Sequence, residues 1–141
     1  MSIIAEKDKE IIKKELAGLS GPVKMVNFTQ ELECQYCRET NALIRELGEL
    51  SDKILTETYN FITDKEATAR FSIDKIPATV IMGGDDKGIR FYGIPSGYEF
   101  ATLIETIKMI SAGESGLSQK SKDFVKTLVK PVHLQVYFTP T

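Results

Sequence analysis

Cys34 and Cys37 are the two cysteines of this 141-residue chain, separated only by Gln35 and Tyr36. A Cys-x-x-Cys pair can cycle between dithiol and disulfide, lend two thiolates to a metal, or stay inert. Its placement discriminates among these. The pair lies between a short, largely apolar run, 23–28, and a stretch with Leu43, Ile44, Leu47 and Leu50 at helical spacing. That puts the cysteines at the mouth of a helix, where unpaired N–H groups and the positive end of the dipole favour an anion. Cys34 is therefore expected to ionise below the ordinary thiol range. Cys37, one turn further in, is expected to be more buried and poised to attack a mixed disulfide formed at Cys34. Cys34 reads as the nucleophile and Cys37 as the resolver.

A closed structural zinc site takes four ligands. The chain has no second cysteine pair, and its only histidine, His133, alternates with Val132 and Leu134 as in a strand. A metal would need a second chain or an external ligand. The inventory favours redox chemistry, with metal binding and an inert pair as the open alternatives. Glu31 and Glu33 flank the site. As solvated loop charges they do little; held close, one would raise the Cys34 thiol or accept a proton from Cys37. Gln35 and Tyr36 are placed to contact a partner, and Tyr36 equally to pack. At Ile76-Pro77, which opens a buried strand, a cis bond would present the Ile76 backbone to an extended peptide; the ordinary expectation for an X-Pro bond is trans.

The elements that must position these residues are legible as periodicity. Ile4, Ile11, Ile12, Leu16 and Leu19 predict an amphipathic helix from about residue 3 to Ala17, stopped by Gly18 and Gly21-Pro22. A strand follows at 23–28, then the cysteine loop, then a helix to about Leu50. The run 55–62 is strand-like in composition, 64–71 is a short helix candidate, and 76–82 reads as a buried strand. The turn signal 83–88 leads into a returning arm, 89–92, of a hairpin. Ser96 with Glu99 three residues on forms a capping-box pattern for a helix carrying Phe100, Leu103, Ile104, Ile107 and Ile110, ending near Ala112-Gly113.

Composition limits the remaining possibilities. With 42% apolar residues the chain holds enough for one core, and 18 Lys+Arg against 20 Asp+Glu gives no basic field for nucleic acid or an anionic membrane. No apolar run is long enough to span a bilayer, and Glu6 to Lys9 stand where a signal peptide would be apolar. The expectation is a soluble, cytoplasmic protein, a compartment where paired cysteines point to redox chemistry or metal binding.

The last part of the chain departs from a simple domain. Leu117, Ser121, Phe124, Val125 and Leu128 predict one more amphipathic helix, and Val132, Leu134, Val136 and Phe138 alternate as a strand. The stretch 131–139 matches 22–29 with one residue inserted, so an internal repeat is expected to begin here and to be cut short. The expected division is 1–114 for a redox module and 115–141 for a linker helix and the first strand of a truncated second module. Such a strand should pack on the first module or pair with another chain, so a homodimer through it is one expected assembly.

Cys34-Gln-Tyr-Cys37, Ile76-Pro77-Ala-Thr and the 83–92 hairpin, in this order of elements, resemble the thioredoxin fold in its glutaredoxin-like form. With Lys75-Ile-Pro-Ala-Thr79, 88–97 and Glu99-Phe100, almost the whole chain resembles the N-terminal half of the tandem protein disulfide oxidoreductases of archaea and thermophilic or anaerobic bacteria. The resemblance implies an α/β fold with a central mixed sheet flanked by helices, and Pro77 as a cis-proline facing the cysteines. It also implies catalysis by Cys34 and Cys37, substrate contacts at Gln35, Tyr36, Ile76 and Pro77, disulfide-containing protein substrates, and a thioredoxin-reductase-like electron donor. No cofactor is implied.

In the family a strand ending in Phe-Thr-Pro-Thr directly precedes the second pair of cysteines, and here 138–141 is where the chain stops. The sequence also departs from single-domain thioredoxins, which carry a Trp-Cys-Gly-Pro-Cys site and a buried acid on the preceding strand; this strand offers Asn27 and the chain has no tryptophan. Arg38 and Lys75 are weak counterparts of the basic residues with which glutaredoxins hold glutathione, so glutathione binding is not assigned. Two other readings stand beside thiol–disulfide exchange: a docking module of a two-site oxidoreductase, and a dimer bridged by metal through two Cys34–Cys37 pairs.

Overall fold

The structure, a computed structural model, describes residues 2–137 and 139. Four strands form one mixed sheet in the order β2-β1-β3-β4, where β1 is Val23–Thr29, β2 Ile54–Asn60, β3 Ala78–Met82 and β4 Arg90–Tyr92. β1 and β2 are parallel, with Val23 opposite Ile54, and a parallel pair needs a crossover, which the helix α2 (Cys37–Gly48) supplies. β3 runs antiparallel to both neighbours, so the hairpin expected at 83–92 forms, with Ala78 opposite Tyr92.

The central strands are buried on both faces, and each face has its own helices. On one face Val23, Met25 and Ile81 join Ile12 and Leu16 of α1 (Glu6–Leu16), Leu43, Ile44 and Leu47 of α2, and Leu103, Ile104 and Ile107 of α4 (Tyr98–Ala112). On the other, Val26, Phe28, Val80 and Met82 pack with Phe71 and Ile73, which follow α3 (Lys65–Arg70). Phe28 anchors this second cluster, its ring 5.6 Å from Tyr59 and 5.8 Å from Phe71. Burying one such ring or aliphatic side chain contributes about 2–3 kcal/mol.

Two helix ends follow different rules from the sequence pattern. The capping box at Ser96 does not form: Gly97 is the N-cap of α4 at φ 63° and ψ −132°, with no side-chain cap, and the Ser96 N–H donates to the Ile94 carbonyl at 2.9 Å. The chain thus enters α4 through a backbone conformation that only glycine takes readily, which moves Ser96 outside the cap. The C-terminus ends as expected, at Gly113, whose φ of 71° lets its N–H reach the carbonyls of Met109 and Ile110.

Beyond α4 the chain leaves the core. Helix α5 (Gln119–Lys126) forms, capped by Ser118, whose hydroxyl accepts from the Ser121 N–H at 3.2 Å, but no described residue after Ser111 is buried. The strand expected over 132–138 is absent from 132–137: these residues join no sheet and stay exposed, Leu134 at 85% and Val136 at 84%. An alternating sequence needs a strand to pair with, and in this chain the nearest free edge, β4, is three residues long. Phe138, Pro140 and Thr141 lie outside the described residues. No helix among the described residues is long and apolar enough to cross a membrane.

Candidate active site

β1 ends at Thr29, the chain loops outward, and α2 begins at Cys37. Cys34 and Cys37 form a disulfide across this junction, with Cα atoms 5.5 Å apart. Cys37, the first residue of α2, is fully buried, whereas Cys34 is half-buried and the intervening Gln35 and Tyr36 are exposed. The expected asymmetry of an outer and an inner sulfur is therefore present. Tyr36 is the N-cap residue; its carbonyl accepts from the Thr40 N–H at 3.0 Å and from the Thr40 hydroxyl at 2.7 Å. The buried Thr40 so fixes the turn that carries both cysteines. Glu33 precedes them in the left-handed region, φ 57°, a conformation unfavourable for a side-chain-bearing residue. Glu31 and Glu33 are exposed.

The sheet register brings the second sequence signal to the same end of the molecule. Phe28 pairs with Ala78, so Pro77 stands opposite Thr29, and the Thr29 hydroxyl donates to the Cys37 carbonyl at 3.5 Å. The Ile76-Pro77 bond is cis, as the resemblance implied and against the ordinary expectation for an X-Pro bond. Pro77 is buried and its carbonyl accepts from the Gly93 N–H at 2.9 Å, while no hydrogen bond within the described residues engages the half-buried Ile76 backbone. Among the described residues the Ile76 N–H and C=O thus have no hydrogen-bond partner.

Beside this corner lies a cleft of about 720 Å³, lined by Tyr36, Lys75, Tyr92 and Glu99 on one side and by residues of the stretch 132–137 on the other. The Lys75 ammonium sits 4.3 Å from the centre of the Tyr92 ring and 2.7 Å from the Asp74 carboxylate. Burial pushes the Glu99 carboxyl up to about 7. Glu99 thus lines the cleft, a placement that its capping-box position in the sequence concealed. His133 is exposed in the segment that crosses the cleft, and among the described residues no group of three or more His, Cys, Asp or Glu is placed to hold a metal ion.

Sequence reasoning noted Asn27 only as a departure and Thr79 only as part of a motif. The structure pairs them: both are fully buried, opposite each other in the β1–β3 register. Among the described residues Asn27 Oδ1 and Nδ2 and Thr79 Oγ1 have no hydrogen-bond partner. A buried polar group left so costs about 1–3 kcal/mol. The signal in the sequence was a polar residue following Val23 and Met25 on one face of β1.

No protein-family model matches the chain. Among curated proteins it is similar to an NADH dehydrogenase of Bacillus subtilis (strain 168), 31% identical over 100 residues, covering 71% of this chain and 18% of the relative. It is also similar to the F component of the alkyl hydroperoxide reductase of Pseudomonas aeruginosa, 27% identical over 131 residues, covering 93% of this chain and 23% of the relative. The chain thus spans about a fifth of the length of these relatives. Among solved structures a protein disulfide oxidoreductase from Aeropyrum pernix matches with a TM-score of 0.81 and 27% identity, over 88% of this chain and 55% of the other. The NTD_N/C domain of alkylhydroperoxide reductase AhpF from Enterococcus faecalis matches with a TM-score of 0.78 and 24% identity, over 90% and 62%. A thioredoxin from Fasciola hepatica matches at 0.53 and 22%, over 70% and 90%. The chain has the thioredoxin fold, with a Cys-x-x-Cys disulfide of oxidoreductase type, and resembles one module of these longer proteins.

Proposed function

We propose that this chain is a thiol–disulfide exchange module acting on protein disulfides, with Cys34 as nucleophile and Cys37 as resolver. The observation that carries the reading is the asymmetric disulfide at the mouth of α2, one sulfur reachable and the other sealed. In the reduced module the Cys34 thiolate attacks one sulfur of a substrate disulfide. A Cys34–substrate bond forms, the substrate S–S bond breaks, and the departing sulfur leaves as a thiolate that takes up a proton. Cys37 then attacks Cys34, the Cys34–Cys37 bond forms, and the second substrate sulfur leaves. The substrate gains two electrons and the module loses them; the reverse sequence oxidises a dithiol. Gln35 and Tyr36 contact the partner, and the Ile76 backbone beside Pro77 pairs with its extended chain.

The relatives named as NADH dehydrogenase and alkyl hydroperoxide reductase support a reductase-like electron donor for this module. The segment 115–141 is, in this proposal, the approach to a further module. Its exposed Phe124, Val129, Leu134 and Val136 support that reading, since a solvated linker has no use for them. The same exposure favours a second role for the chain as a docking module.

Equilibration in glutathione buffers of known potential, alkylation of free thiols and weighing of the intact chain test the proposal. A reversible two-electron transition, with Cys34 alkylated faster than Cys37 in the reduced protein, supports exchange. Cysteines that stay unpaired at every potential, or alkylate only after a chelator is added, overturn it in favour of a metal-bridged pair. Full activity of a longer tandem protein carrying Cys34→Ser would favour docking.

A further inference from the structure

One edge of the sheet is β4, and the hydrogen bonds of its hairpin show which of its backbone groups face outward. The Ile81 N–H donates to the Ile89 carbonyl at 3.4 Å, and the Gly93 N–H donates to the Pro77 carbonyl at 2.9 Å. Ile89, Phe91 and Gly93 therefore turn their N–H and C=O groups toward β3, and by antiparallel alternation Arg90 and Tyr92 turn theirs away. Among the described residues no hydrogen bond reaches those outward groups.

Arg90 and Tyr92 both line the cleft of about 720 Å³, and the segment 132–137 forms its opposite wall. That segment makes no backbone hydrogen bond to any described residue, and its side chains are exposed. It is nonetheless held beside the strand end. Asp74 and Lys75 act chiefly on each other, but His133 is also near enough to act on the charge of Asp74, and Tyr137 on that of Lys75. The cleft thus lies between two lengths of main chain that each lack a neighbour. Its volume falls within the range of about 300–1,000 Å³ usual for binding clefts. It also reaches Tyr36, the residue before Cys37, so a chain lying in it lies beside the reactive pair.

We propose that an extended segment of the protein substrate, flanking its reactive cysteine, enters this cleft as an added strand, pairing with Arg90 and Tyr92 of β4 on one side and with 132–137 on the other. The inference rests on the exchange function proposed above and names the kind of substrate it takes. Val132, Leu134 and Val136 alternate with His133, Gln135 and Tyr137 in the pattern of a strand, and the substrate backbone supplies the partner that the four strands of the sheet do not. This contact is separate from the one at Ile76, which does not line the cleft. Main-chain pairing tolerates many sequences but demands an extended chain. Disulfides in unfolded or extended protein segments are therefore favoured over small disulfides with no main chain to offer.

The test loads Cys34 of the Cys37→Ser chain with one of two probes, a peptide of about ten residues carrying one cysteine, or 2-mercaptoethanol. Each is supplied as its thiopyridyl disulfide: the Cys34 thiolate attacks the probe sulfur, the Cys34–probe bond forms, and thiopyridine leaves with the electron pair. Hydrogen exchange is then read at single amides. The Arg90 and Tyr92 amides, with alternate amides of 132–137, should exchange at least about tenfold more slowly in the peptide adduct than in the mercaptoethanol adduct. Equal exchange in the two adducts overturns the proposal. Protection in the unloaded protein that grows with its concentration overturns it too, because a second copy then takes the edge. Leu134→Pro and Gln135→Pro, in chains that keep both cysteines, form the second arm; both lie outside the core, so the fold is kept. Adjacent N–H groups of a strand point to opposite sides, so only one of the two prolines removes a donor from the cleft. That variant should lose about five- to tenfold in kcat/KM for a peptide disulfide, the other less than about twofold, with neither changed toward oxidised 2-mercaptoethanol. Equal effects of the two prolines, or none, count against the added strand. If Cys34 accepts neither probe, the exchange function itself fails, a separate result that removes the basis of this one.

Discussion

Cys34 and Cys37 are joined by one disulfide, yet Cys37 is completely excluded from solvent while Cys34 remains half-buried at the rim of the loop. The difference arises because Cys37 is the first helical residue, packed down on β1, and Cys34 precedes the N-cap. Attack from outside is therefore expected at Cys34 alone. Cys34→Ser should reduce disulfide exchange by at least about a thousandfold, whereas Cys37→Ser should retain the first step and accumulate a mixed disulfide, visible as an added substrate mass on the intact protein.

Glu99 supplies a pH dependence. Burial raises its folded-state value to about 7 from an ordinary value of 4.5. A carboxyl raised on folding binds more protons in the native state, so its charge opposes folding as pH rises from about 4.5 through 7, and the cost is absent below that window. Glu99→Gln should leave stability at pH 4 unchanged and raise it at pH 8 by about 1 kcal/mol, a modest figure because the side chain is half-exposed. Urea unfolding at both pH values measures this; equal stability of the two proteins at pH 8 would count against it.

Glu46 works in the opposite direction. Its burial raises the carboxyl, but N–H donors of Ile3 at 2.7 Å and Ile4 at 3.1 Å, with the Ser2 hydroxyl and Lys9, outweigh that and lower it overall. A depressed carboxylate contributes stability that is present above its unfolded value and lost as pH falls through its folded value. Glu46→Ala should cost about 1 kcal/mol at pH 7, with earlier hydrogen exchange at the Ile3 and Ile4 amides, and the difference should shrink below pH 4.

Gly21 and Ser111 clasp the start of β1 to the end of α4. The Gly21 N–H lies 3.0 Å from the Ser111 hydroxyl, which in turn donates to the Gly21 carbonyl at 2.7 Å. A Cβ on Gly21 would lie 2.7 Å from the Ser111 carbonyl oxygen, a backbone atom with little freedom to yield. Gly21→Ala should destabilise by about 2 kcal/mol or more, and Ser111→Ala by about 1. Thermal melts of the two variants check the order.

Because no described residue after Ser111 is buried, a chain ending at Gly116 should keep the fold. Its stability to denaturant is expected within about 0.5 kcal/mol of that of the full chain, with exchange at Cys34 retained. A cooperative transition lost on truncation would show that the segment 117–141 belongs to the module.

The order of helices and strands, the placement of Cys34 and Cys37 between β1 and α2, and the hairpin leading to β4 were all legible in the sequence, because each depends on local periodicity and turn chemistry. The burial of Cys37 followed from the same local geometry. The pairing of Asn27 with Thr79, the closeness of Pro77 to Thr29, and the partial burial of Glu99 in the cleft were not, since strand order and register arise from contacts between distant parts of the chain. Ser96 misled for a related reason: its pattern suits a cap, but Gly97 turns the backbone before the helix begins. The stretch 132–137 alternates as a strand should, and only the tertiary structure shows that it joins none of the four strands of the sheet. Alternation fixes which side chains would share a face; a strand exists only where another backbone supplies its hydrogen bonds.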